Sequence, residues 1–172
     1  MNFVKLKRNP YRYRRTLPHI QDSVPLFITF NTLNRWVLPP EARSIAMESC
    51  LFEHNRRVLL HAVVIMPEHG HLLFTIIESA DPPPLHQILG DIKGASSHNI
   101  NKLLGRKGHV WEEESMDRAT RENEREYYRN YIIHNPVKRG LVEHPDDYPW
   151  LWYETEDQPD PKWNRPVNFA KE

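Results

Sequence analysis

The sequence predicts an α+β fold, an antiparallel sheet with helices on one face, and three observations lead there. Its 172 residues, 39% of them hydrophobic, amount to one domain with enough apolar content for a core. Apolar runs of strand length alternate with stretches whose apolar residues recur every three or four positions. Fifteen prolines against six glycines supply turns between these segments without the signature of a low-complexity chain.

The elements follow in order. Leu26 to Leu33 (LFITFNTL) is β-branched and aromatic with near alternation, and Pro25 can precede a strand without costing a ladder bond. Pro39 and Pro40 suit a helix start, and Ala42, Ile45, Ala46, Ser49, Cys50 and Glu53 continue at helical spacing to His54-Asn55. Val58 to Met66 (VLLHAVVIM) is a buried-strand run. Pro67-Glu68 makes a turn and His69 to Ile77 returns, so Val58 to Ile77 reads as an antiparallel hairpin. After the stiff Pro82-Pro83-Pro84, the apolar stripe Leu85, Ile88, Leu89, Ile92, Ser96, Ile100 and Leu103 predicts a long helix ending near Gly105. A short strand is expected around His109 to Glu113, and a helix from Arg121 to Asn135 that Pro136 stops. Strand, helix, two strands, helix and strand is the split βαβ, ferredoxin-like order, here with an added C-terminal helix that carries a tyrosine-rich segment. The expected divisions are a basic arm over 1–22, a folded domain over 23–141 and an irregular acidic tail over 142–172 packed on it.

Composition excludes several classes. With one cysteine, Cys50, the chain can form neither an intramolecular disulfide nor a zinc site that needs two thiolates, so a bound metal would take nitrogen and oxygen ligands. No apolar run approaches the roughly 20 residues that span a bilayer, and the basic start lacks the apolar stretch of a secretory signal. A cytoplasmic protein with no membrane partner is expected. Twenty-three Lys+Arg balance 23 Asp+Glu, but the balance hides an asymmetry. The first charged residues are Lys5, Lys7, Arg8, Arg12, Arg14 and Arg15, interleaved with Tyr11 and Tyr13, whereas acids dominate after Leu141. A basic arm with aromatics can neutralise phosphates and stack bases, and it also suits a solvated terminus.

Among ten histidines, spacing singles out His69 and His71. Two apart on a predicted strand, their imidazoles share a sheet face about 7 Å apart at the backbone and can converge on one divalent cation. A polar strand face near a turn would show the same spacing. In Tyr131 to Gly140 (YIIHNPVKRG), Tyr131 and Asn135 are four apart, which puts a phenol and an amide oxygen one turn apart on one helix face. A phenol beside a cation can serve as a nucleophile and an amide oxygen is a hard ligand. A core tyrosine and an asparagine capping the helix before Pro136 fit the spacing equally. Tyr127 lies on the face of Tyr131, and Tyr128, rotated away, is expected in the core.

Taken together, MPEHGHLL (Met66 to Leu73) and YIIHNPVKRGLV (Tyr131 to Val142) resemble the motifs of the single-tyrosine HUH transposases of the IS200-like group, in particular the REP-associated tyrosine transposases. YRRTLPH (Tyr13 to His19) and VWEEESMDRATR (Val110 to Arg121) resemble segments that flank those motifs, so the resemblance runs from about Tyr13 to Trp152. It implies that His69 and His71 bind a metal, Mg2+ or Mn2+, with Asn135 as third ligand, and that Tyr131 is the nucleophile. It further implies a transposase that cleaves and rejoins single-stranded DNA folded into a hairpin, through a 5′-phosphotyrosine and a free 3′-hydroxyl, as a monomer or homodimer. The arm residues Arg12, Tyr13, Arg14 and Arg15 would contact that DNA. Where the family has a bulky hydrophobic residue between the histidines this chain has Gly70, which should face the other side of the sheet and loosen the packing behind the site. Two rival readings stand beside this one: a catalytically silent module that holds hairpin DNA or RNA, and a metal-dependent hydrolase using Glu68 or one of Glu112 to Glu114.

Overall fold

A computed structural model describes residues 24–155 and residue 163. Arg12, Tyr13, Arg14 and Arg15 lie outside the described residues. The strands are β1 (Leu26–Thr32), β2 (Val58–Ile65), β3 (His69–Ile76), β4 (Trp111–Ala119) and β5 (Leu151–Tyr153), and the helices α1 (Pro40–Leu51), α2 (Leu85–Leu104) and α3 (Arg125–Lys138). The sheet is antiparallel in the order β4-β1-β3-β2-β5. Its first four strands reproduce the expected ferredoxin-like arrangement, with β5 added at one edge.

Alternation on the central strands decides what each face touches. Leu26, Ile28 and Phe30 of β1 are buried, and their antiparallel partners Phe74, Leu72 and Gly70 lie on the same face. This is the side of α2, because the Phe30 ring meets Trp111 edge-on at 4.8 Å and the Trp111 indole donates to Ser96 Oγ of α2 at 2.8 Å. Helix α1 packs on α2, and its Ser44 hydroxyl accepts from the Trp150 indole at 3.0 Å. The out-of-phase residues of β1 face the other way, where Phe27 meets Tyr128 and Tyr131 of α3. Helices on both sides explain why β2 and β3 read as nearly unbroken apolar runs rather than alternating ones: almost every residue of β2 and the first six of β3 are buried.

Three segments depart from the sequence reading. Strand β4 runs to Ala119, six residues past the expected end, because an edge strand with one solvated face alternates polar residues and carries no apolar run. Helix α3 continues through Pro136 to Lys138 instead of stopping before it. A proline in the last turn forfeits one backbone bond, and the turn closes around it: Arg139 N–H donates to Asn135 O at 3.0 Å and Leu141 N–H to Pro136 O at 3.0 Å. Finally, three residues of the tail form β5, pairing Leu151 with Val64 and Tyr153 with Ala62, and Trp150 and Trp152 are buried. A run this short, two residues beyond Pro149, has no periodicity to detect.

Candidate active site

The turn before His69 is pinned from two directions. Thr32, at the end of β1, gives both its N–H and its hydroxyl to Glu68 O, at 2.9 and 3.0 Å, and Leu38 N–H reaches Pro67 O at 2.7 Å. Met66 N–H closes the hairpin onto His69 O at 2.7 Å. The strand therefore leaves a fixed turn, and His69 and His71 come opposite Asn31 and Thr29 on the α3 side. Their ring centroids are 4.8 Å apart. His71 lies nearly parallel to Phe27 at 5.4 Å, and its Nδ1 is hydrogen-bonded to Thr29 Oγ1 at 2.8 Å.

Helix α3 lays a stripe of side chains along this face. Tyr128 packs on Phe27 at 4.6 Å, Tyr131 stands edge-on to His71 at 5.4 Å, and Arg139 donates to Glu68 Oε1 at 2.6 Å. Phe27 pairs with Leu73, so the partners step along β3 from residue 73 through 71 to 68 as the helix advances. Asn135 falls between Tyr131 and Arg139 on that stripe, which brackets it at the level of His69. It is only 6% exposed and its Oδ1 is buried without a hydrogen-bond partner. It lies within the helix and does not cap its end. Of the three crowded tyrosines, Tyr127 is 67% exposed, whereas Tyr128 and Tyr131 both turn to the sheet. Tyr127 and Tyr131 nevertheless share a face as the spacing suggests, lining one surface groove with His134 and Lys138.

Burial favours the neutral form of both imidazoles. Burial, reinforced by the neighbouring His69, pushes His71 down to about 3. Burial also lowers His69, which Glu68 opposes and the positive charges of Arg139 and Arg35 reinforce. Burial alone would raise Glu68, but the hydrogen bond and charge of Arg139 outweigh it and hold the carboxyl below its usual range. Neutral imidazole is the form that ligates a metal. Among the described residues no three His, Cys, Asp or Glu gather as a metal site. The donors that share this face are two imidazoles and an amide oxygen with no partner. A set of two neutral imidazoles and one amide oxygen can hold a divalent cation.

Gly70 does not loosen what lies behind. A Cβ built there would stand 2.5 Å from Phe30 Cζ, so the Phe30 ring, 2% exposed and held by Trp111, occupies the volume a larger residue would take. Glu112 to Glu114 lie on β4, separated from β3 by β1, so the hydrolase reading keeps only Glu68, whose carboxylate Arg139 engages. Thr29 and Arg139 escaped the sequence reading. Thr29 sat inside a segment recognised only as a strand, and the link from Arg139 to Glu68 spans too much sequence for any local pattern to show.

Known proteins share this fold and part of this sequence. The family described as Transposase IS200 like matches residues 41–135, more than half of the chain and a span holding His69, His71, Tyr131 and Asn135. The REP-associated tyrosine transposase of Escherichia coli (strain K12) is 28% identical over 128 residues, covering 72% of this chain and 73% of that protein. The solved structure of a REP-associated tyrosine transposase bound to a REP hairpin superposes with a TM-score of 0.62 at 24% identity, over 77% of this chain and 78% of that one, a likeness of fold. None of the described helices is long and apolar enough to cross a membrane. By its fold and its matched span, the chain is a member of the IS200-like transposase family.

Proposed function

We propose that this transposase cleaves and rejoins single-stranded DNA at a hairpin, with Tyr131 as nucleophile and His69, His71 and Asn135 as the ligands of a divalent cation. The observation that carries the reading is the placement of the Tyr131 ring on His71, on the face that also holds His69 and the buried, unpartnered Asn135 oxygen. A bound Mg2+ or Mn2+ would supply Lewis-acid stabilisation of charge on the scissile phosphate.

The chain's own residues do the rest. Tyr131 sits midway along α3, partly buried against Phe27 and His71, so its ring has little freedom. Lys138 Nζ lies 5.7 Å from the centre of that ring and brings a positive charge to the side where phosphate must approach. The Tyr131 oxygen attacks phosphorus, the bond from phosphorus to the 3′-oxygen breaks, and the phenolic proton passes through solvent to the departing 3′-hydroxyl. One phosphodiester replaces another, so a second 3′-hydroxyl can reverse the step without a nucleotide cofactor.

The similar solved structure is of a protein bound to a REP hairpin, which supports hairpin DNA as the substrate here. The remaining features of this reading are a cytoplasmic monomer or homodimer, a basic arm over 1–22 in which Arg12, Tyr13, Arg14 and Arg15 contact the DNA, a catalytic domain over 23–141 and a tail over 142–172. Labelled hairpin DNA with a single-stranded flank, incubated with Mg2+ or Mn2+, should yield a covalent adduct stable to denaturing electrophoresis. Tight hairpin binding with no adduct under any divalent cation would favour the silent binding module instead.

A further inference from the structure

The two histidines differ in what touches Nδ1. His71 Nδ1 is hydrogen-bonded to Thr29 Oγ1 at 2.8 Å, across the register pair of β1 and β3. His69 Nδ1 faces Glu68 Oε1 at 3.5 Å, is buried, and has no closer partner. That same carboxylate oxygen accepts from Arg139 at 2.6 Å, and Arg139 closes the helix that carries Tyr131 and Asn135. An imidazole with one proton can ligate only through the other nitrogen, so whatever holds Nδ1–H decides that Nε2 is the ligand.

We propose that Thr29 and the Glu68–Arg139 pair are positioning residues for the two histidines. Thr29 accepts the His71 Nδ1 proton, Glu68 attracts that of His69, and both Nε2 atoms are left to face the same point. Because Glu68 is fixed by Arg139, the setting of His69 depends on the docking of α3. The helix that brings the nucleophile thereby also orients a metal ligand. Thr32 and Leu38 reinforce this by fixing the backbone of Glu68 and Pro67, so the carboxylate cannot move away by a shift of the turn. The proposal rests on the reading that these histidines bind the cation.

The test uses the full chain and two readouts besides cleavage. Long-range nitrogen-proton NMR of the metal-free protein reports which imidazole nitrogen is protonated, and Mn2+ titration followed by electron paramagnetic resonance reports affinity without DNA. Wild type should show both histidines protonated at Nδ1. Thr29→Val keeps the shape of the side chain and should mix the His71 tautomers and weaken Mn2+ by roughly 10- to 100-fold, with Thr29→Ser restoring both. Glu68→Ala should do the same at His69 alone. Arg139→Glu combined with Glu68→Arg should recover the docking of α3, read as hairpin affinity and melting temperature, while Mn2+ affinity stays low. Unchanged tautomers in Thr29→Val and Glu68→Ala, with both variants folded, would overturn the proposal. A wild type that shows the expected tautomers but binds no Mn2+ would instead sink the metal reading of the site and leave the positioning claim standing.

Discussion

On β1 and β3, Leu26, Ile28, Phe30, Leu72 and Phe74 belong to the face covered by α1 and α2, whereas Phe27, Thr29, His69 and His71, one residue out of phase, belong to the face covered by α3. The first face is filled with apolar side chains, and the shortfall at Gly70 is made good by the Phe30 ring. The second is more open, with Phe27 and Thr29 half-buried, and of the polar atoms that β1, β3 and α3 bury here Asn135 Oδ1 has no partner and His69 Nδ1 has only Glu68 Oε1, at 3.5 Å. Leaving an atom such as Asn135 Oδ1 dry and unpaired costs about 1–3 kcal/mol, a cost that makes sense where a ligand will satisfy it. The same strand can thus carry a packed core and a reactive surface, because a period of two separates them completely.

That contrast predicts opposite phenotypes for substitutions one residue apart. The largest effect belongs to Tyr131→Phe, which removes one oxygen from the α3 face and leaves the ring contacts with Phe27 and His71. Adduct formation should fall by roughly a thousandfold or more with melting temperature and hairpin affinity unchanged, while Tyr127→Phe and Tyr128→Phe keep forming the adduct. An adduct that persists in Tyr131→Phe, or maps to another residue, would break the assignment. Next comes His71→Ala. Cleavage should be lost, and hairpin binding measured by fluorescence anisotropy should stay within a few-fold, since phosphate contacts supply most of the affinity. Binding that collapses together with cleavage would mean that His71 holds the fold and not the chemistry.

The core face should answer in stability. Gly70→Leu drives a side chain into Phe30, whose ring cannot retreat from Trp111, and overpacking of this kind costs about 1–3 kcal/mol. A drop in melting temperature of roughly 3–10 °C is expected. Phe30→Ala alone opens a cavity, yet the double variant Phe30→Ala/Gly70→Leu should be more stable than the sum of the two losses, with a coupling of about 0.5–3 kcal/mol. Additive losses would show that the two side chains do not share one volume.

These expectations also show what the sequence could carry. The strand period fixed the shared face of His69 and His71, and the spacing of Ile88, Ile92, Ser96 and Ile100 fixed the buried side of α2, because both are local repeats. Tyr131 and Asn135 were legible for the same reason. Pairings across long separations were not: Thr29 with His71, Arg139 with Glu68, and Phe30 with Gly70 exist only after β1 lies beside β3 and α3 beside both. Proline misled at α3, since a rule about helix interiors is weakest in a last turn whose carbonyls find other donors.

The smallest effect expected separates the two faces by pH. Lys93 of α2 donates to Glu112 O and Glu113 O, at 2.9 and 3.0 Å, and so straps α2 to β4 on the α1/α2 side. Burial, opposed by the Glu112 and Glu113 carboxylates, pushes the Lys93 ammonium down to about 8 from its usual 10.5. The folded-state value lies below the unfolded one, so between those two pH values the unfolded chain binds more protons and stability rises with pH. Relative to Lys93→Met, which keeps the buried stem but cannot titrate, wild type should therefore gain melting temperature as pH goes from 7.5 to 10. The gain should be about 1–2 °C, small because solvent still reaches part of the ammonium. The neutral amine retains its two donors to the Glu112 and Glu113 carbonyls, so the strap itself survives the loss of charge. Hairpin affinity should differ little between wild type and Lys93→Met over that range, since Lys93 lies across the sheet from Tyr131. A wild-type advantage that is flat or falls with rising pH would show that the ammonium is not buried between α2 and β4.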